Sequence, residues 1–288
     1  MKAGIGLPST IPGVTGADIT TWAREAEQHG FSSLAVLDRL VYPNVEPLVA
    51  LAAAAAVTER IDLITAVLIG PYRANAALLA KQLASIDHLS GGRLSVGIAA
   101  GAREDDYAAS GVDYESRGQQ LDAMLDTFDA VWSSASAGRV LSGIGPKPVH
   151  GRPALLFGGT GKAAFRRTAT RGDGWIMGGG DASAFLRSAD GLSTAWTGAG
   201  RTGKPRTAAL AYIALGPDGA EQASAYLGDY YRFLGADVAG AIARSAVTTP
   251  EAARGRLKDF ADAGCDELLF IPCSPDPAQV AALAQAVR

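Results

Sequence analysis

The residues able to do chemistry sit where apolar runs break off. In "GGRLSVGIAAGAREDD" (residues 91–106), Leu94, Val96 and Ile98 alternate with other residues. The run stops at Gly101 and gives way to Arg103, Glu104, Asp105 and Asp106. A second break, "LDRLVY", sets Asp38 beside Arg39, either of which can hydrogen-bond a ligand or simply pair with the other at the surface. A third, "TAVLIGPYR", brings Thr65, Ala66 and Val67 ahead of a Gly70–Pro71 turn and Arg73. Small residues there would let a flat ring approach the backbone. Two more breaks are glycine-rich. "FGGTGKA" runs through Phe157, Gly158, Gly159, Thr160, Gly161 and Lys162, and "MGGG" through Met177, Gly178, Gly179 and Gly180. Glycines just before a helix either simply turn the chain or leave backbone N–H groups bare in an arrangement that binds phosphate, and two such turns on neighbouring strands, one with Thr160 and Lys162, favour phosphate.

Other chemistry is missing from the pattern. There is no G-x-S-x-G, H-E-x-x-H or Walker loop. The two cysteines (Cys265, Cys273) and three scattered histidines (His29, His88, His150) fit no zinc spacing and no disulfide framework. His29 and His88 end helices, where the macrodipole favours them. "GTGKAA" matches a dinucleotide fingerprint, but only after four βα units and in a chain with 35 glycines, so it carries little weight. A protein without a strong acid, base or nucleophile of its own is expected to let a cofactor carry the reaction.

The elements that must position these residues alternate regularly. Eight apolar strands read from "KAGIGLP" to "DELLFIP", each followed by helical pattern, and each reads as a run buried on both faces. Asp18 near the start of "DITTWAREAEQHG" and Pro47 in the first turn of the second helix mark helix starts. Eight βα units in 288 residues, with no domain break, predict an α/β fold: a single-domain TIM-like (β/α)8 barrel over residues 1–288, with a surface loop at 135–152. In such a barrel the active site lies at the C-terminal ends of the strands, where all five breaks fall. The aromatic stretch "YLGDYYRFLG" after strand seven reads either as a pocket cover or dimer surface or as ordinary helix core. Tyr230 and Tyr231 point in different directions on a helix, so at most one is expected to face a pocket.

Bulk properties narrow the class. A net charge of −3 with no basic run excludes a nucleic acid-binding face. The longest apolar run, "PLVALAAAAAV", is about half the ~20 residues of a membrane span. The N-terminus lacks a signal-peptide core, so a cytoplasmic protein is expected.

The order of motifs resembles the bacterial luciferase-like superfamily of flavin- or deazaflavin-dependent oxidoreductases. The most specific piece is "LLAKQLASIDHLSGGRLSVGIAAG", supported by "GFSSLAVLDRL", "ERIDLITAVL", "RGQQLDAMLDTF" and "PALLFGGTGKAAFRRTATRGDGWI". The resemblance covers nearly the whole chain. It implies a barrel that binds reduced FMN, or the deazaflavin F-420, at the mouth. It implies a non-prolyl cis peptide behind the ring, which would fall at Ala66–Val67. It places the phosphate tail near Phe157, Gly158, Gly159, Thr160, Gly161, Met177, Gly178 and Gly179, and the cleft wall at Gly101, Arg103 and Asp106. Several deazaflavin-dependent relatives carry an Asp-His pair after strand two. Here it is Asp38-Arg39, and Arg cannot act as an acid–base group near neutral pH. It can stabilise a reduced flavin anion or bind an anionic substrate. The expectation is therefore a monooxygenase using reduced FMN, supplied by a separate reductase, and O2 on an apolar or aromatic small molecule. Asp38 and Arg39 are the candidate catalytic residues, no metal is required, and the family likeness implies a homodimer. The alternatives are F-420-dependent hydride transfer on the same fold, and a flavin-binding protein without turnover. A sugar-phosphate barrel enzyme would need a catalytic Lys, Glu or His at a strand end, and none stands out.

Overall fold

Two interleaved sets of apolar side chains along each strand account for the architecture. In the computed structural model, which describes residues 1–133, 141 and 143–288, eight parallel strands close in sequence order. They are β1 (Lys2–Gly6), β2 (Ser33–Val36), β3 (Asp62–Ile69), β4 (Leu94–Ala99), β5 (Ala154–Gly158), β6 (Gly174–Met177), β7 (Arg206–Ile213) and β8 (Glu267–Pro272). Alternate residues serve the two faces, as the period of a strand demands. Ile64, Ala66, Leu156, Ile176, Leu210, Tyr212, Leu269 and Ile271 form one cluster, the barrel interior. Leu63, Val96, Ile98, Leu155, Phe157, Trp175, Met177, Leu268 and Phe270 form another, against the helices. The side chains of Phe157 and Met177 therefore point away from the interior, and at the mouth these two positions offer backbone only.

Around the barrel lie α1 (Gly16–Gln28), α2 (Pro47–Ala55), α3 (Ala76–Leu89), α4 (Glu104–Ser110), α5 (Arg117–Trp132), α6 (Lys162–Arg171), α7 (Ala182–Gly198), α8 (Gly219–Tyr230), α9 (Ala236–Arg244), α10 (Pro250–Asp262) and α11 (Ala278–Val287). The starts follow local chemistry. Thr15 and Asp18 form a reciprocal capping box on α1, and Asn75, Asp181 and Thr249 cap α3, α7 and α10 through their side chains. Two helices escape a purely hydrophobic reading. The charged segment after β4 is α4, whose first turn holds Glu104, Asp105 and Asp106 where the macrodipole favours them. Helix α9 is short and mostly exposed. No described helix is long and apolar enough to cross a membrane.

The alternation breaks once, in β3. Its register against β4 shifts between Thr65 and Leu68, and the Ala66–Val67 peptide is cis, as the resemblance implied. Thr65 donates its hydroxyl to the Gly97 carbonyl at 2.7 Å. A Cβ at Gly97 would lie 2.1 Å from the Thr65 carbonyl oxygen, so only glycine fits beside this irregularity. Positions 135–140 and 142 of the expected surface loop, like residue 134 before it, lie outside the described residues. Past them, Val149 N–H is held by the buried Asp87 carboxylate at 2.7 Å.

The N-terminal end of the barrel is closed by polar side chains that satisfy one another. Glu267, 1% exposed, accepts from the Ser32 and Ser33 hydroxyls (2.6 and 2.7 Å) and from Arg206 (2.7 Å), which also reaches Ser95. Burial pushes the Glu267 carboxyl upward, but these donors outweigh it and hold it below its ordinary value.

Candidate functional site

At the opposite end, the loops after β2, β3 and β4 bring side chains together. Asp38, 8% exposed, faces β3 rather than Arg39. It accepts from the Ile69 N–H at 2.8 Å, the Tyr72 hydroxyl at 2.5 Å and Arg73 at 3.0 Å. Arg73 reaches on to Glu46 at 2.7 Å. Burial raises the Asp38 carboxyl above its ordinary value, against the downward pull of Arg73, Tyr72 and the Ile69 amide. Three donors on one buried carboxylate lock the end of β3, two residues past the cis peptide.

Arg39 is held by a different set. Its guanidinium lies over the rings of Tyr42 (4.3 Å) and Tyr230 (4.9 Å). It donates to the Tyr230 carbonyl at 2.7 Å and the Val41 carbonyl at 3.0 Å. Both terminal nitrogens are thus engaged, while Nε has no partner. Burial, and then the neighbouring Arg103, lower the Arg39 pKa. The two guanidiniums therefore converge on one region of the mouth.

Arg103 and Asp106 complete this half. Asp106, 1% exposed, accepts from the Leu40 and Val41 amides at 3.1 and 2.7 Å, tying the loop after β2 to α4. Its other oxygen lies 3.4 Å from Arg103 Nε and accepts no hydrogen bond. Arg103 also contacts Asp105 and stacks on Phe233 at 4.1 Å, leaving Nε and Nη1 buried without a hydrogen-bond partner. Gly101 takes a left-handed φ of 74°, and a Cβ there would strike Ile69. Residues 101, 103 and 106 thus meet the ends of β2 and β3.

The loops after β5 and β6 offer backbone instead. A Cβ at Gly158 would sit 3.0 Å from Val67, so the glycine keeps a small gap beside the β3 irregularity. Gly159 uses its carbonyl to accept from Trp175 at 2.7 Å and has a φ of 110°. Gly161 begins α6 without any side-chain cap; Thr160 and Lys162 are exposed beside it, and no acid stands in the first turn. Gly178 and Gly179 are exposed with open space around them. Here the helix start is already served, because Asp181 accepts from the Ala184 N–H at 2.8 Å.

The structure thus gathers Asp38, Arg103, Asp106, Gly101, Ala66, Val67 and the two glycine loops around one barrel mouth, with Arg39 embedded in its wall. Sequence reading missed Tyr72, Tyr42 and Glu46, and passed over Arg73 without a role. Their signal was weak: Tyr42 lies in a bend, Tyr72 and Arg73 in a single 3-10 turn, and Glu46 reads only as the cap of α2. Among the described residues no cluster of ligating side chains could hold a metal. The cysteines stay thiols: burial pushes Cys265 up to about 11 and Cys273 higher still.

The closed eight-stranded barrel, with a strand irregularity, a basic wall and bare helix-start amides at its mouth, is a TIM-like (β/α)8 fold. Residues 1–287 match the model of the luciferase-like monooxygenase family. The chain belongs to that family and is a flavin-dependent oxidoreductase of the monooxygenase-like type. It is 32% identical over 240 residues to an uncharacterized protein of Mycobacterium tuberculosis, covering 73% of this chain and 83% of that one. It is 31% identical over 134 residues to the FMNH(2)-dependent dimethylsulfone monooxygenase of Pseudomonas fluorescens, covering 42% and 35%. Its fold is similar to an F420-dependent secondary alcohol dehydrogenase (TM-score 0.83, 18% identity, full coverage of both chains). It is also similar to the oxygenating constituent of a Pseudomonas putida Baeyer–Villiger monooxygenase (TM-score 0.74, 17% identity, 100% and 97% coverage).

Proposed function

We propose that the protein is a monooxygenase that uses reduced FMN and O2 to oxidise an apolar or aromatic small molecule. The observation that carries this reading is the state of the Asp38-Arg39 pair. Arg39 is clamped between two tyrosine rings with both terminal nitrogens on backbone carbonyls, and Asp38 is committed to Ile69, Tyr72 and Arg73. Neither is free to relay a proton at a reacting carbon, as hydride transfer to a ketone or from an alcohol requires. The FMNH(2)-dependent relative points the same way.

The residues present suit an FMN. Ala66 and Val67 would back the ring, with the gap at Gly158 beside them. The uncapped start of α6, with Thr160 and Lys162, would hold the phosphate through N–H groups and charge. Arg103, with buried donors still unpaired, would stabilise negative charge on the reduced ring. When bound, reduced FMN supplies the two electrons that O2 needs to oxidise an organic substrate. The chain's part is to hold the ring against β3, fix the phosphate and exclude water. Asp38 acts as a positioning residue, since its contacts hold the end of β3.

A separate reductase would deliver reduced FMN. A homodimer is proposed from the family likeness; the exposed Val49, Leu78 and Leu89 on α2 and α3 give it an apolar face. Oxygen uptake with a flavin reductase and a panel of aromatic substrates tests the function. Substrate-dependent uptake with oxygen incorporated into product is expected. Turnover with reduced F-420 and none with FMN would overturn it.

A further inference from the structure

The mouth holds a second polar feature that the flavin reading leaves unused. Between the loop after β6 and the far end of β7 lies a cavity of about 140 Å³, lined by Gly178, Gly179, Gly180, Tyr212, Tyr231 and Arg256 among others. That is far more than the ~10–15 Å³ one water requires. Several donors line it, beside the apolar Leu210, Ala211 and Ile242. Among the described residues, the N–H groups of Gly179 and Gly180 donate to no backbone carbonyl. The hydroxyls of Tyr212 and Tyr231 lie 2.5 Å apart. Whichever donates to the other, one O–H proton of the pair remains free for a third group. Burial raises the pKa of both phenols, so both keep their protons. Arg256 makes only a long contact, 3.4 Å, to the Ser245 carbonyl. Ser245 turns its own hydroxyl to the Ile242 carbonyl. No carboxylate lines the cavity; the nearby Asp181 is spent on its own helix.

We propose that this cavity is an anion subsite that takes a carboxylate, or a like oxyanion, carried by the substrate. An arginine, a spare phenol proton and bare amides around a cavity with no carboxylate in its lining make a site that favours a negative group. The cavity contains none of the residues at the start of α6, where the phosphate is proposed to sit; Gly178 and Gly179, which the resemblance gives to the phosphate tail, are here assigned to the second site. The inference rests on the proposed function only in assigning the anion to a substrate; anion binding itself stands without the flavin.

Calorimetric titration of the FMN-loaded protein with benzoate and with inorganic sulfate tests it, in wild type, Arg256→Gln and Tyr231→Phe. Arg256→Gln should weaken benzoate at least about tenfold and Tyr231→Phe about three- to fivefold, with FMN affinity unchanged within about twofold. Melting temperatures close to wild type would show that both variants fold. If Arg256→Gln weakens FMN but not riboflavin, the cavity serves the cofactor's phosphate and the proposal falls. It falls equally if the variants leave benzoate binding unchanged, or if neither anion binds wild type at millimolar concentration. Benzoate binding in a protein that takes up no FMN would sink the flavin reading and leave the subsite standing.

Discussion

The two ends of the barrel treat buried polar atoms in opposite ways. At the N-terminal end both carboxylate oxygens of Glu267 are hydrogen-bonded, and Arg93 is spread over the Ser90, Ile61, Ala55 and Thr58 carbonyls and the Thr58 hydroxyl. At the mouth, Ser9 Oγ, Arg39 Nε, Asn44 Oδ1, Arg73 Nε, Arg103 Nε and Nη1 and Asp106 Oδ2 are buried without a hydrogen-bond partner. Outside the mouth, Trp22 Nε1 alone shares that state among the described residues. Arg103 Nε and Asp106 Oδ2 face each other as an ion pair at 3.4 Å, and each of the other five would cost about 1–3 kcal/mol if neither water nor ligand reached it. The base satisfies its buried polar atoms, while the mouth leaves several open, as the binding site proposed there requires. Changes at the base should therefore read out in stability, and changes at the mouth in binding.

The largest expected stability effect is at the base. Glu267→Gln should cost about 2–3 kcal/mol near neutral pH, because the charge that orders two serines and Arg206 is lost. The folded-state pKa of Glu267 is lowered, so its contribution is full above the ordinary glutamate value and fades as pH falls through the folded value. Wild type and variant should converge in acid denaturation series, while FMN affinity stays the same. A parallel offset at all pH values would show that the charge is not the cause.

Asp38→Asn should act on both readouts. It turns one accepting oxygen into an NH2 that cannot accept from Ile69, Tyr72 or Arg73, leaves the partly buried Arg73 without its partner, and loosens the end of β3. We expect a loss of about 1–3 kcal/mol in urea unfolding, together with FMN binding weakened about tenfold or more. A loss of stability with FMN affinity intact would remove Asp38 from the positioning of the ring.

Gly161→Asp separates the two readouts most sharply. It gives α6 the cap that Asp181 gives α7, at a position whose φ of −88° any residue accepts. Stability should rise by about 0.5–1 kcal/mol while FMN affinity falls about tenfold, with riboflavin unaffected. Equal loss for riboflavin would place the phosphate elsewhere. The smallest stability effect is expected for Arg103→Met. The variant loses the ion pairs with Asp105 and Asp106 but also removes two buried donors without a hydrogen bond, and the Met stem keeps the packing, so these should nearly offset: stability should change by less than about 0.5 kcal/mol while reduced FMN weakens severalfold. A marked loss of stability would mean that its Asp105, Asp106 and Phe233 contacts are what matter.

The barrel was legible because burial on both faces makes continuous apolar strands such as "IDLITAVLI", and because glycine and capping residues punctuate the helices. The strand ends were legible as a place. What each residue does there was not. Asp38 and Arg39 are neighbours in sequence, yet one turns to Arg73 and the other to Tyr42 and Tyr230. Those partners come from α8 and from turns after β2 and β3, and no local period announces them. The glycine loops illustrate the same limit. "FGGTGKA" and "MGGGDAS" look alike, but Asp181 occupies one helix start and nothing occupies the other. Helix α4 escaped because its acidic first turn reads as loop unless the macrodipole is considered. Tyr212 was hidden inside a strand pattern, and only the chain's return through Tyr231 gives its hydroxyl a partner.

The most direct measurement is a paired fluorescence titration of the apo-protein with FMN, oxidised and dithionite-reduced, and with the deazaflavin F-420. Tight binding of reduced FMN and none of the deazaflavin is expected. Tight binding of the deazaflavin alone would contradict it, and would require Arg39 to leave its tyrosine clamp to take part in hydride transfer.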